Sequence, residues 1–143
     1  MVYVDTSALV ALLTVEAHTP AVKDWFTANI EPLVSADWCA VEFASALAAK
    51  LRAKQLRPAH ARAAHEAFDT LTASGLRLLP VTRTACQRAA ALAKSPSDGL
   101  RAGDALHLAA ALEAGAKELA GLDVVMNANA KRLGLRLSMS AAG

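Results

Sequence analysis

Aromatic residues make up only 4% of this 143-residue chain, which also has just two cysteines, no long apolar run and a net charge of +2. Each shortage excludes something. Cys39 and Cys86 lie far apart and neither belongs to a C-x-x-C pair, which argues against a disulfide framework or a zinc site and for two reduced, buried thiols. No stretch reaches the roughly 18 uninterrupted apolar residues of a membrane span. The start lacks the basic residues of a signal peptide, and Asp5 interrupts its apolar run, so the expected compartment is the cytoplasm. The charge imbalance is too mild to point to nucleic acid by itself, and the scarcity of rings argues against base stacking as a main source of affinity.

What is present is apolar weight carried by Ala and Leu, with 55% of residues hydrophobic. One domain over residues 1–143 is expected, long enough to bury a sizeable core. Val2-Tyr3-Val4 favours a strand that ends at Asp5-Thr6-Ser7, candidate caps for an apolar helix from Ala8 to Leu13. Thr19-Pro20 opens a second helix to Ile30, with Val22, Trp25, Phe26 and Ile30 facing inward. After a brief strand at Leu33-Val34-Ser35, Ser35 or Asp37 caps a long helix to about Lys54. Pro58 starts another to Thr72, closed by Ser74-Gly75, and the two make a hairpin.

Leu76 to Val81 is a third strand, Thr82 caps a helix to about Ala93, and Ser95 to Gly99 is a loop. Leu100 or Ala102 opens an apolar helix that Gly115 ends. Glu118 to Leu122 is a short strand, Met126 to Leu133 a helix, and Leu135 to Ser138 a last strand running into a tail expected to fray over residues 137–143. Strands alternating with helices predict a mostly parallel sheet covered on both faces.

Four acids sit where surface acids are not expected. Asp5 and Asp123 end strands, at the edge where open α/β sheets bind ligands. Glu42 is the sole charged residue between Trp38 and Ala49, at the border of an inner stripe of Val41, Ala44, Ala48 and Leu51. Asp104 lies alone in an apolar helix start. Each has a plainer reading beside it: Asp5 as a helix cap, Glu42 as a border residue reaching water, Asp104 as a first-turn acid favoured by the helix dipole. Together, four converging carboxylates repel unless a divalent cation neutralises them, and oxygen donors without paired Cys or His select Mg²⁺ or Mn²⁺. Such ions activate water and clamp phosphate oxygens, which is phosphodiester chemistry. His107, on the same face as Asp104, reads as a packing or supporting residue. Thr6 and Ser7 read as caps first, with a hydroxyl free to support a carboxylate, and His18, His60 and His65 as surface residues. Lys50, Arg52, Lys54, Arg57 and Arg62 form a basic stretch without an acid, either a solvated helix end or a contact surface.

Val4-Asp5-Thr6-Ser7-Ala8-Leu9, Val41-Glu42-Phe43-Ala44-Ser45-Ala46-Leu47, Leu100 to Ala109 with its Gly103-Asp104-Ala105-Leu106-His107 centre, and Leu122-Asp123 with Arg132-Leu133-Gly134-Leu135 together resemble a PIN domain. The length is similar to that of stand-alone VapC-type toxins. The resemblance implies a three-layer α/β/α sandwich, a Mg²⁺- or Mn²⁺-dependent endoribonuclease, a homodimer, and inhibition by a small VapB-like antitoxin. Carried over residue by residue, the family's acids fall on Asp5, Glu42, Asp104 and Asp123, with Asp5 and Asp104 holding the metal and the other two coordinating directly or through water. Many members have Thr two residues before the last acid. Here that position is Gly121, so a supporting hydroxyl is missing. The basic stretch becomes an RNA track or an antitoxin-facing hairpin. A silent PIN-fold binding module, a non-toxin RNA-processing PIN nuclease, and a receiver-like protein phosphorylated on Asp5 remain as rivals, although Val4 and Thr6 leave Asp5 without the neighbouring acid a receiver needs.

Overall fold

The computed structural model describes residues 1–139, and its centre is the first strand, β1 (Val2–Val4), every residue of which is buried. β1 lies between β2 (Leu33–Ala36) and β4 (Glu118–Ala120), with β3 (Arg77–Leu79) and β5 (Arg136–Leu137) at the edges. All four pairings are parallel, in the order β3-β2-β1-β4-β5. Parallel neighbours need crossovers, and helices supply them. α1 (Thr6–Leu13) and α2 (Thr19–Ala28) lead from β1 to β2, and α3 (Asp37–Arg52) and α4 (Pro58–Ser74) from β2 to β3. α5 (Arg83–Ala93), a single 3₁₀ turn (Pro96–Asp98) and α6 (Ala102–Glu113) lead to β4, and α7 (Val124–Arg132) to β5. Successive strands are added on one side of β1 and then on the other, so the strand order reverses between β1 and β4. An open sheet parts at such a switch point, and ligands bind in the crevice at its carboxyl end.

Period-two alternation divides the side chains of β1 between two cores. Tyr3 packs with α5, α6 and α7 on one face, whereas Val2 and Val4 pack with α1, α3 and α4 on the other. The result is the three-layer α/β/α sandwich with a parallel sheet. No helix among the described residues is long and apolar enough to cross a membrane.

Several expectations need correction. The three strands after β2 are shorter than expected at one or both ends. The inner stripe of α3 is Cys39, Phe43 and Leu47, not Val41, Ala44, Ala48 and Leu51; Val41 is 58% exposed. Phe43 decides the rotation, because its ring stacks on Phe68 of α4 with centroids 4.5 Å apart, and this confirms the hairpin. Neither Ser35 nor Asp37 caps α3. Ala36 occupies that position with no side-chain bond, while the Ser35 hydroxyl donates to the Val4 carbonyl at 2.7 Å. Ile30 lies beyond the end of α2 and is 93% exposed, and Cys86 is exposed rather than buried. The tail does not fray from residue 137: Leu137 is paired with Leu119, the Ser138 amide donates to the Leu119 carbonyl, and Met139 is buried. Residues 140–143 lie outside the described residues. Thr82 caps α5 as expected, accepting from the Ala85 amide.

α3 ends without the usual glycine. The Gln55 amide donates to the Lys50 carbonyl at 2.8 Å and the Lys54 amide to the Leu51 carbonyl at 3.1 Å, a closure that places Lys54 at φ 57. A side chain in this left-handed region costs about 1–2 kcal/mol, partly offset by the greater unfolded-state entropy of glycine. Lys54→Gly is therefore expected to raise stability by up to about 1 kcal/mol in urea denaturation.

Candidate active site

Asp5 and Asp123, two of the acids singled out from the sequence, follow the strands on either side of the switch point. The Asp5 amide donates to the Ala120 carbonyl at 3.0 Å, extending the β1–β4 ladder by one bond and fixing the residue at the crevice. Its Oδ1 accepts from the Ala8 amide at 3.1 Å and from the Ser7 hydroxyl at 2.7 Å. Asp5 is therefore itself the cap of α1, a task the sequence reading had assigned mainly to Thr6 and Ser7. The Ser7 oxygen also accepts from the Leu122 amide at 2.9 Å. One hydroxyl thus ties Asp5 to the loop that carries Asp123. Only 3% of Asp5 is exposed, and no Lys or Arg pairs with it among the described residues. Burial pushes its carboxyl up to about 6, against the opposing pull of His107, Ser7 and the Ala8 amide.

Glu42 reaches the same crevice from α3. Its Oε1 accepts from the Thr6 hydroxyl at 2.7 Å and pairs closely with Nε2 of His107. The other ring nitrogen, Nδ1, is 2.8 Å from the Tyr3 hydroxyl. In the neutral ring the Nε2 proton faces the carboxylate, which leaves Nδ1 to accept from Tyr3, whose phenol burial keeps protonated. Burial pulls the Glu42 carboxyl up, yet the bonds from His107 and Thr6 outweigh it and hold the group below its ordinary value. His107, 2% exposed, joins β1, α1 and α3 from within α6. The sequence reading gave it a packing or supporting role but placed it in no site. Its position three residues after Asp104 was the available signal; its partners, distant in sequence, were not visible.

Asp104, in the first turn of α6, is half-buried, and its carboxyl is raised by burial and then by the negative charge of Asp123. Asp123 caps α7, its Oδ1 accepting from the Met126 amide at 2.7 Å. Asn127 does not join the acids: its Nδ2 donates to the Gly121 carbonyl at 3.0 Å, bracing the exit of β4. Thr6, Ser7, Leu122 and Asp123 line a groove of about 400 Å³ together with Glu16 and His18. The basic stretch is not beside the acids as a unit. Lys50 pairs with Glu16 at 3.0 Å, Lys54 and Arg57 line a separate apolar cleft of about 630 Å³, and Arg52 and Arg62 are exposed.

No three Asp, Glu, His or Cys side chains among the described residues form a ready cage for a metal ion. The donor chemistry nevertheless fits a hard divalent cation. Mg²⁺ is held by one or two carboxylates and keeps the rest of its shell as water, and a buried Asp5 with no Lys or Arg partner among the described residues is the kind of anchor such an ion neutralises. The bare Gly121 leaves room for that anchor. A Cβ there would meet the Asp5 carboxyl carbon and Oδ2 at 3.0 Å, so a side chain at position 121 would require the carboxylate to shift, and Ser7 supplies a hydroxyl from the other side.

A family model described as PIN domain matches residues 2–131. The chain belongs to the PIN domain family. Solved PIN-like neighbours share the fold at low identity. VapC20 from Mycobacterium tuberculosis, described as a sarcin–ricin loop cleaving toxin, superposes with a TM-score of 0.73 at 20% identity, over 90% of this chain and 95% of that one. FitAcB from Neisseria gonorrhoeae superposes with 0.71 at 17% identity, over 96% of each chain. A toxin–antitoxin complex from Klebsiella pneumoniae gives 0.59 at 17% identity, over 86% of this PIN domain and 87% of that chain. No curated protein matches the sequence.

Asp5 makes the metal-free PIN domain sensitive to pH. Below its ordinary value of 3.8 both folded and unfolded chains hold the proton, whereas above about 6 the folded chain carries an ionised buried acid. The ionised form then costs roughly 3 kcal/mol, and Asp104 adds in the same direction. Stability measured by urea denaturation without metal should therefore rise as pH falls from about 6 toward 3.8. Asp5→Asn keeps the cap, flattens this slope, and is more stable than wild type at neutral pH.

Proposed function

We propose that this PIN domain is a Mg²⁺- or Mn²⁺-dependent endoribonuclease and the toxin of a toxin–antitoxin pair, acting in the cytoplasm. The nuclease reading is supported by Asp5 and Asp123 following the two strands that flank the sheet's switch point, by Glu42 lying near enough to Asp5, and Asp123 and Glu42 near enough to Asp104, for their charges to be felt, and by the burial of Asp5 with no Lys or Arg partner among the described residues. Toxin–antitoxin partnership is supported by the descriptions of the structural neighbours. The chemistry that a divalent ion held by Asp5 and Asp104 supplies is a water of lowered pKa and neutralisation of the scissile phosphate's charge.

The chain's own groups do the rest. Glu42, kept ionised and with Oε1 occupied by His107 and Thr6, retains Oε2 to accept a hydrogen bond from the attacking water. Asp123 has one oxygen committed to the Met126 amide and the other to orient water. Water attacks phosphorus, the bond to the 3′ oxygen breaks, and that oxygen takes a proton, so the products carry 5′-phosphate and 3′-hydroxyl ends. Lys54 and Arg57 border a cleft whose walls include Leu12, Leu13 and Leu56, a lining better suited to an antitoxin segment than to a phosphate track. Homodimerisation belongs to the same reading.

Purified protein with Mn²⁺ and a panel of structured RNAs tests it. Wild type is expected to cleave at discrete sites and to lose cleavage in EDTA, while Asp5→Asn and Asp104→Asn fall by about 100-fold or more. Equal cleavage by Asp5→Asn would sink the assignment, and no cleavage by wild type would favour a silent PIN-fold binding module.

A further inference from the structure

Two glycines adjoin the acids, and neither is there for its backbone angles. Among the described residues, the glycines with positive φ are Gly99, Gly115 and Gly134, so Gly103 and Gly121 adopt conformations open to any residue. Space distinguishes them. A Cβ on Gly103 would lie 2.7 Å from Oε2 of Glu42, and one on Gly121 would lie 3.0 Å from Cγ and Oδ2 of Asp5 and 3.2 Å from Oδ1. Ordinary contact between a methyl carbon and its neighbours begins at about 3.5 Å. Trp38 Nε1, which faces Glu42 and helps to hold its carboxyl low, stands 3.5 Å from the missing Cβ at 103, so a side chain there would crowd polar atoms of the crevice.

The local preference runs the other way at Gly103. It occupies the first turn of α6, where alanine is the better helix former. A residue that opposes its own helix and admits a carboxylate from another helix is more simply explained by the site than by the fold.

We propose that Gly103 and Gly121 are positioning residues for the acidic crevice. Each omits a side chain so that a carboxylate from a different segment, Glu42 at Gly103 and Asp5 at Gly121, settles against the backbone beside the next acid. The inference rests on the metal-nuclease reading above and assigns it two residues outside the acidic set.

Mn²⁺ titration calorimetry, thermal unfolding without metal, and RNA cleavage on Gly103→Ala and Gly121→Ala test it. Each variant is expected to bind Mn²⁺ about tenfold more weakly or worse. Metal-free Gly103→Ala should unfold at the wild-type temperature or above, which a merely structural glycine would not do. Gly115→Ala, strained at φ +73 with nothing among the described residues within 4 Å of its Cβ, is the control: a lower unfolding temperature with unchanged Mn²⁺ affinity. Because an added methyl can also perturb folding, Glu42→Asp is combined with Gly103→Ala. The shorter acid vacates the crowded space, so the double variant should lose less affinity than the product of the two single losses. Affinities of both alanine variants within twofold of wild type, or a double variant showing the full product, overturn this inference alone. Wild type that neither binds Mn²⁺ nor cleaves RNA overturns it together with the reading beneath it.

Discussion

A single buried carboxylate governs this molecule. Asp5 must be desolvated because it ends the central strand, and β1 must be central because the sheet grows outward from it in both directions. The cost of burying that charge is met locally by the Ala8 amide and the Ser7 hydroxyl, and left unmet electrostatically, with no cation beside it among the described residues. A structure that pays stability for an unneutralised acid at its centre is organised for something other than stability. The helix that follows, the Ser7 bridge to the loop after β4 and the missing side chain at Gly121 all accommodate this one group.

A second system stands beside the first and is wired differently. Glu42 is the acid with a basic neighbour, and His107 links it through the sheet to Tyr3 in the apolar core. The two carboxylates therefore have opposite environments: Asp5 is raised by burial, and Glu42 is held low by its donors. Carboxylates driven apart in this way take separate tasks, one as an anchor and the other as an acceptor.

Much of this was legible in the residues, for identifiable reasons. Asp5 and Asp123 stood out because a strand leaves its mark in β-branched and apolar residues and both acids follow such runs directly. Asp104 stood out because it is the only acid between Arg101 and Glu113, within an otherwise apolar helix. The rotation of α3 was misjudged because Val41 and Ala44 are apolar yet point outward, and the stacking of Phe43 on Phe68, which sets the helix face, is a tertiary fact. The ends of the short strands were missed for a similar reason: ladder bonds, not composition, define them. His107 was visible as a residue and invisible as a link, since Tyr3, Thr6 and Glu42 come from distant parts of the chain. Gly121 was read as a missing hydroxyl, whereas the structure shows a space already filled by Asp5.

Val2 pairs with Glu118, far along the chain. β1 is made well before its partner β4 and the last acid, with β2, β3 and six helices synthesised between them. Contacts so distant in sequence close late. On the proposed reading, a nascent ribonuclease stays inert while β4 is unmade, because its crevice then lacks one wall and Asp123.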